Sequence, residues 1–151
     1  IEFGADRECV ARIVALCRAR TRRPILAKLS PVLPDVGGMA LVARDAGADG
    51  ITVVNTMPGA LFDRDGGAAR LGNGFGGVSG PALLPVGVLA VARVVERTAG
   101  MPVIGVGGVR SADDVRQYLR VGAALVAIGT GGMADPRLPE RVVRDLEATD
   151  A

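Results

Sequence analysis

Histidine and tryptophan are absent from this chain, aromatic residues make up only 3% of it, and cysteine occurs twice. Each scarcity excludes something. Cys9 and Cys17 fall on one predicted helix. With no His and no Cys-x-x-Cys pair, they make neither a metal site nor a disulfide framework. They are expected to be buried or half-buried reduced thiols of a cytoplasmic protein. Phe3, Phe62, Phe75 and Tyr118 are too few to build stacking platforms for single-stranded nucleic acid. The net charge is +2, and arginines alternate with acids on the predicted helices, so no basic stripe points to nucleic acid. No apolar run reaches the roughly 18–20 residues of a membrane span, and no signal peptide is visible. No G-x-G-x-x-G follows the first predicted strand and no G-x-x-x-x-G-K-[ST] occurs, which weakens dinucleotide and P-loop readings. The chain opens at Ile1 without a methionine, which suggests a fragment or a domain of something longer.

What is present is apolar content and glycine. The 151 residues are 49% hydrophobic and include 22 glycines with no repeating period. That is enough for a core and about one domain, with the glycines in turns. Of the 18 basic residues, Lys28 is the only lysine, which makes it informative.

Periodicity organises the chain. Residues 6–20 place Val10, Ile13, Val14 and Cys17 on one helical face, with Asp6 as cap. Ile25 to Leu29 reads as a buried strand ending in Lys28-Leu29-Ser30-Pro31. A helix from about Asp35 to Ala46 is capped by Asp35 and stopped by Gly47. Ile51 to Asn55 is a second strand, rich in β-branched residues and ending in Asn55-Thr56. Residues 57–80 read as one long loop holding eight of the glycines, and a loop of that length is functional or mobile. Pro81 and Pro85 open a helix running to about Ala99. Val103 to Val106 is a third strand. Ser111 and Asp114 form a capping box for a helix to Val121. Leu125 to Ile128 is a fourth strand, and a last helix covers about Pro139 to Ala148.

Strict alternation of strand and helix predicts an α/β fold with a parallel sheet and right-handed crossovers. The strands are apolar throughout, as expected where both faces are covered. A faint repeat pairs Pro24-Ile25-Leu26 with Pro102-Val103-Ile104, and Gly47-Ala48 with Gly122-Ala123. This fits a (β/α)8 TIM-barrel type better than a doubly wound sheet. A whole barrel takes about 250 residues, so four βα units are half of one. The chain is therefore expected to be a single incomplete domain over residues 1–151.

Lys28, Asn55-Thr56, Gly107-Gly108 and Gly129-Thr130 all fall at carboxyl ends of predicted strands, which share one mouth in a barrel. The stretch from Met101 to Thr130 reads as a phosphate cup. Gly107-Gly108 lets backbone approach an anion, the helix starting at Ser111 adds N–H groups, and Gly129-Thr130 adds a second set and a hydroxyl. Ordinary turn glycines would give the same letters. Lys28 could snorkel to solvent, or place positive charge beside an electron-rich ring. Asn55 and Thr56 could bind a polar substrate, although Asn also terminates strands. Ser79 and Gly80 sit at a tight turn.

Together, KLSP (28–31), NT (55–56), GGVSGP (76–81), GVGGVRSADDV (105–115), AIGT (127–130) and ADP (134–136) resemble the C-terminal half of the dihydroorotate dehydrogenases. The likeness is to class 1, and NTMPGALFD (55–63) is similar to the class 1B branch. It runs from about Phe3 to Pro136 with order and spacing kept. The resemblance implies a cytoplasmic FMN flavoprotein of pyrimidine (UMP) synthesis, an oxidoreductase converting dihydroorotate to orotate. It implies Lys28, Val54, Gly80, Gly107, Gly108, Gly129 and Thr130 as cofactor-binding, and Asn55 and Thr56 as substrate-binding. It also implies a homodimer and a partner subunit carrying FAD and an iron–sulfur centre, or fumarate as acceptor in class 1A. Val32 replaces the family's Asn after KLSP, and Leu84 stands where the family has Lys before Pro85. The family's catalytic Cys or Ser lies in its other half, so no catalytic base is assigned here. The alternatives are an inactive half-barrel that binds FMN, phosphate or a partner only, and an unrelated phosphate-binding barrel.

Overall fold

The computed structural model describes residues 6–148. Helix α1 (Arg7–Arg18) starts where the Asp6 carboxylate accepts the Cys9 N–H at 2.6 Å, relieving one of the unpaired donors of the first turn. Strand β1 (Leu26–Leu29) follows, then α2 (Val36–Asp45), whose cap Asp35 accepts the Gly38 N–H at 2.8 Å. Next come β2 (Gly50–Val53), β3 (Met57–Gly59) and β4 (Gly76–Val78). A 3-10 turn over Pro81–Leu83 leads into α3 (Leu84–Thr98). Then β5 (Val103–Val106), α4 (Ala112–Arg120), β6 (Leu125–Ala127), α5 (Thr130–Ala134) and α6 (Leu138–Glu147) complete the described chain.

Strands β1, β2, β5 and β6 form one parallel sheet whose order follows the chain. No strand order reverses, so the sheet has no crevice of the doubly wound kind. Any ligand site at the carboxyl ends is then a continuous row of loops. Ile51, Val53 and Val103 are fully buried, as are Val91 and Val94 of α3. Burying each such side chain stabilises the fold by about 1.5–3 kcal/mol. At the opposite end of the sheet, Asp49 accepts the Ile25 N–H at 2.6 Å and pairs with Arg18, while Arg18 Nε donates to Gly47 O at 2.9 Å. These bonds lock α1 and the start of β1 together. The Ile25 bond, aided by Arg18, holds the Asp49 carboxyl below its ordinary pKa.

Three expectations need correction. The sheet is not covered on both faces. Lys28, Thr52, Ile104 and Leu125 stand in register as one row, and Leu125 is 63% exposed. Leu26, on the same face of β1, is 50% exposed. The apolar strands are therefore buried on the helix side only. Second, α1 buries Val10 and Val14 but leaves Ile13 at 42% exposure and Cys17 exposed, because β1 is the sheet edge and offers α1 no further strand. Third, residues 57–80 are not an unstructured loop. β3 and β4 pair antiparallel, Met57 opposite Val78 and Gly59 opposite Gly76, and a bridge joins Phe62 to Ala69 nearer the tip. The fifth helix, α5, was not expected at all; its TGGMA sequence carries two glycines, which disfavour helix.

Candidate phosphate-binding cleft

Each strand delivers a short segment to the same end of the sheet. Lys28 precedes the last residue of β1. After β2 the chain reaches Val54, 3% exposed, whose N–H donates to Val106 O at 3.0 Å. The Asn55 N–H donates to Leu29 O at 3.0 Å, so the ladder continues past the strand ends and holds the Asn55-Thr56 pair in place. The β3–β4 arm returns at Ser79-Gly80. After β5, Gly107 and Gly108 take φ of +130° and +77°, a backbone path that side-chain-bearing residues rarely adopt. After β6, Gly129 leads into α5.

These segments enclose a cleft of about 330 Å3, within the ~300–1,000 Å3 range of small-molecule sites. Lys28, Val54, Thr56, Gly80, Gly107-Gly108 and Gly129-Thr130 all line it. Of the cofactor- and substrate-binding residues implied by the resemblance, Asn55 alone is not in the lining. The cleft also holds Ser79, Val106, Val109, Arg110 and Ala134. Among the described residues, the charged ones lining it are Lys28 and Arg110, with no carboxylate, thiol or imidazole. A positive cleft lined by glycine backbone and valine side chains suits a ligand that combines an anionic group with an apolar body.

Hydrogen bonds set the detail. Thr130 Oγ1 donates to Ser79 Oγ at 2.8 Å, tying the returning arm to the start of α5. Ser111 and Asp114 form the expected capping box, and it has a consequence for the cup. The Asp114 carboxylate accepts the N–H groups of Arg110 at 2.9 Å and Ser111 at 3.0 Å. Those two donors are already spent. Among the described residues, the Gly107 and Gly108 N–H groups donate to no backbone carbonyl. The glycine turn thus offers two unbonded N–H groups, one step before the helix. Tyr118, fully buried on α4, donates its hydroxyl to Gly107 O at 2.8 Å. Burial, with Asp114 nearby as a lesser cause, pushes its phenol up to about 12.

Sequence reasoning missed Arg110 and Tyr118. Arg110 stood two residues after Gly108 and could have been read as part of the cup. Nothing local flagged Tyr118, which lies one helix away.

The family model for dihydroorotate dehydrogenase matches residues 1–149. The chain belongs to the dihydroorotate dehydrogenase family. Curated relatives bear the name dihydroorotate dehydrogenase B (NAD(+)), catalytic subunit. The protein of Pelobacter propionicus is 38% identical over 147 residues, covering 97% of this chain and 48% of the relative. That of Desulforudis audaxviator is 40% identical with the same coverage. That of Geobacillus kaustophilus is 36% identical over 148 residues, 98% of this chain and 47% of the relative. These dihydroorotate dehydrogenases carry the B designation, in keeping with the NTMPGALFD likeness. The chain spans about half the length of the curated relatives it matches. The words "catalytic subunit" in their names imply a partner subunit in those proteins. No helix among the described residues is long and apolar enough to cross a membrane.

Proposed function

We propose that this chain forms the cofactor-phosphate end and part of the orotate site of an FMN-dependent dihydroorotate dehydrogenase, serving pyrimidine synthesis in the cytoplasm. The observation that carries this reading is the convergence of Lys28, Val54, Thr56, Gly80, Gly107-Gly108 and Gly129-Thr130 on one cleft, in a member of this family. FMN fits what the cleft offers. The glycine turn supplies unpaired N–H donors for a phosphate, Lys28 and Arg110 supply charge, and Val54 and Val106 supply apolar wall.

The chemistry supplied by bound FMN is acceptance of a hydride from the substrate. The chain's own residues do the rest. Gly107, Gly108, Gly129 and Thr130 hold the phosphate. Lys28 would set positive charge beside the bound flavin. Thr56, with Asn55 beside the cleft, binds the orotate ring. The group that removes the substrate's proton, the Cys or Ser that the resemblance assigns to the family's other half, comes from outside these 151 residues. The four-stranded sheet contributes half of a TIM-type barrel. The uncovered Leu26 and Leu125 support closure by further strands. In this reading the complete enzyme is a homodimer and passes electrons through a FAD and iron–sulfur subunit.

The same lining favours a second reading, a half-site that binds FMN without turnover. One experiment tests what both readings share, that this chain binds FMN and lacks the base. The purified chain is mixed with FMN under anaerobic conditions, dihydroorotate is added, and flavin absorbance is followed. Binding without bleaching is expected. Bleaching by this chain alone contradicts the claim that the base lies elsewhere.

A further inference from the structure

Tyr118 fills a place prepared for it. A Cβ at Gly87 on α3 or at Gly105 on β5 would overlap its ring or hydroxyl, so two glycines on separate elements leave room for one side chain. The ring is fully buried, and its hydroxyl reaches the Gly107 carbonyl at 2.8 Å. A buried phenol needs such a partner, but the partner here belongs to the turn that closes the cleft.

A trans peptide points its C=O and N–H in opposite directions. The Gly107 carbonyl is drawn down to Tyr118, on the helix side of the sheet. The N–H of the same peptide unit, that of Gly108, is therefore turned away from the core and towards the cleft. Both glycines are free to flip this peptide, because each can adopt either sign of φ. The Tyr118 bond removes that freedom. Arg110 and Ser111 cannot substitute as donors, since Asp114 already takes their N–H groups.

We infer that Tyr118 is a positioning residue for phosphate recognition: through Gly107 O it fixes the Gly108 N–H towards the phosphate of a phosphorylated flavin. This rests on the FMN reading above. The residue touches no ligand itself.

The test compares FMN with riboflavin, which lacks the phosphate, in the full chain and in Tyr118→Phe. The phenylalanine keeps the ring and loses the bond. Losing one oriented donor is expected to weaken FMN about 5- to 10-fold and to leave riboflavin unchanged. Equal weakening of both flavins, or of neither, overturns the inference. A second measurement needs no variant. In 15N-labelled wild-type chain, the Gly108 amide resonance is expected to move on adding FMN and to stay in place on adding riboflavin. A Gly108 resonance that ignores FMN while FMN quenches normally overturns the role of Tyr118 and leaves the flavin reading intact. Absence of FMN binding in wild type overturns both.

Discussion

Thr130 and Ser79 stand 51 positions apart in the chain, and their hydroxyls meet at 2.8 Å across the rim of the cleft. The bond joins the returning limb of the β3–β4 arm to the first turn of α5. Two segments of weak intrinsic preference, one glycine-rich and one only five residues long, are pinned to each other there. A phosphate arriving at Gly129-Thr130 would find both hydroxyls already gathered.

Thr130→Val keeps the shape of the side chain and removes the hydroxyl. FMN affinity is expected to fall about 3- to 10-fold, the worth of one such bond. Riboflavin affinity is expected to hold. Fluorescence titration with each flavin checks it.

Lys28→Met removes one of the two cations lining the cleft while leaving a chain of similar length. FMN binding is expected to weaken about tenfold or more in dilute buffer, since contacts to a charged group are worth roughly 1.5–3 kcal/mol. The difference from wild type should shrink as salt is added. A loss that is indifferent to ionic strength would point to packing instead.

Ser111→Ala breaks the capping box at α4. A cost of about 1 kcal/mol in unfolding free energy is expected, read from the midpoint in urea. The Asp114 carboxylate would still hold the Arg110 and Ser111 N–H groups, so FMN affinity should change far less than in Tyr118→Phe.

Tyr118 is the single tyrosine, so its ionisation can be followed without interference. Burial raises it from an ordinary 10.0 to about 12. Between those values the unfolded chain gives up the phenolic proton and the folded chain keeps it. The stability owed to the neutral phenol is whole below pH 10 and is lost as pH rises to about 12. The ultraviolet signal of tyrosinate is expected to appear near the upper value in the native chain, and near the lower in denaturant. Native ionisation close to 10 would mean the ring is not packed as described.

Much of this was legible in the sequence. Asp6, Asp35 and Ser111 announce their helices because a side-chain acceptor three residues before a free N–H is a local device. The alternation of βα units announces the parallel sheet. Lys28, Thr56 and the glycine pairs were placed by one rule, that ligands meet strands at their carboxyl ends, and Val54 by the family resemblance alone. The failures share a cause. The uncovered sheet face, the exposed Ile13 and Cys17, and the Tyr118–Gly107 bond depend on what lies across space, and no window of sequence holds that information. The β3–β4 arm was hidden because Gly59, Gly76 and Gly77 carry no side chain with which to show a period of two.

The central claim is that the glycine turn, Thr130 and Lys28 of this chain form a phosphate-holding site for FMN. Its most direct measurement is a pair of equilibrium titrations of the purified 151-residue chain, one with FMN and one with riboflavin, followed by flavin fluorescence. Saturable quenching by a single FMN, with riboflavin bound at least about tenfold more weakly, is the expected result. Indistinguishable affinities for the two flavins, or no quenching at micromolar FMN, would contradict it.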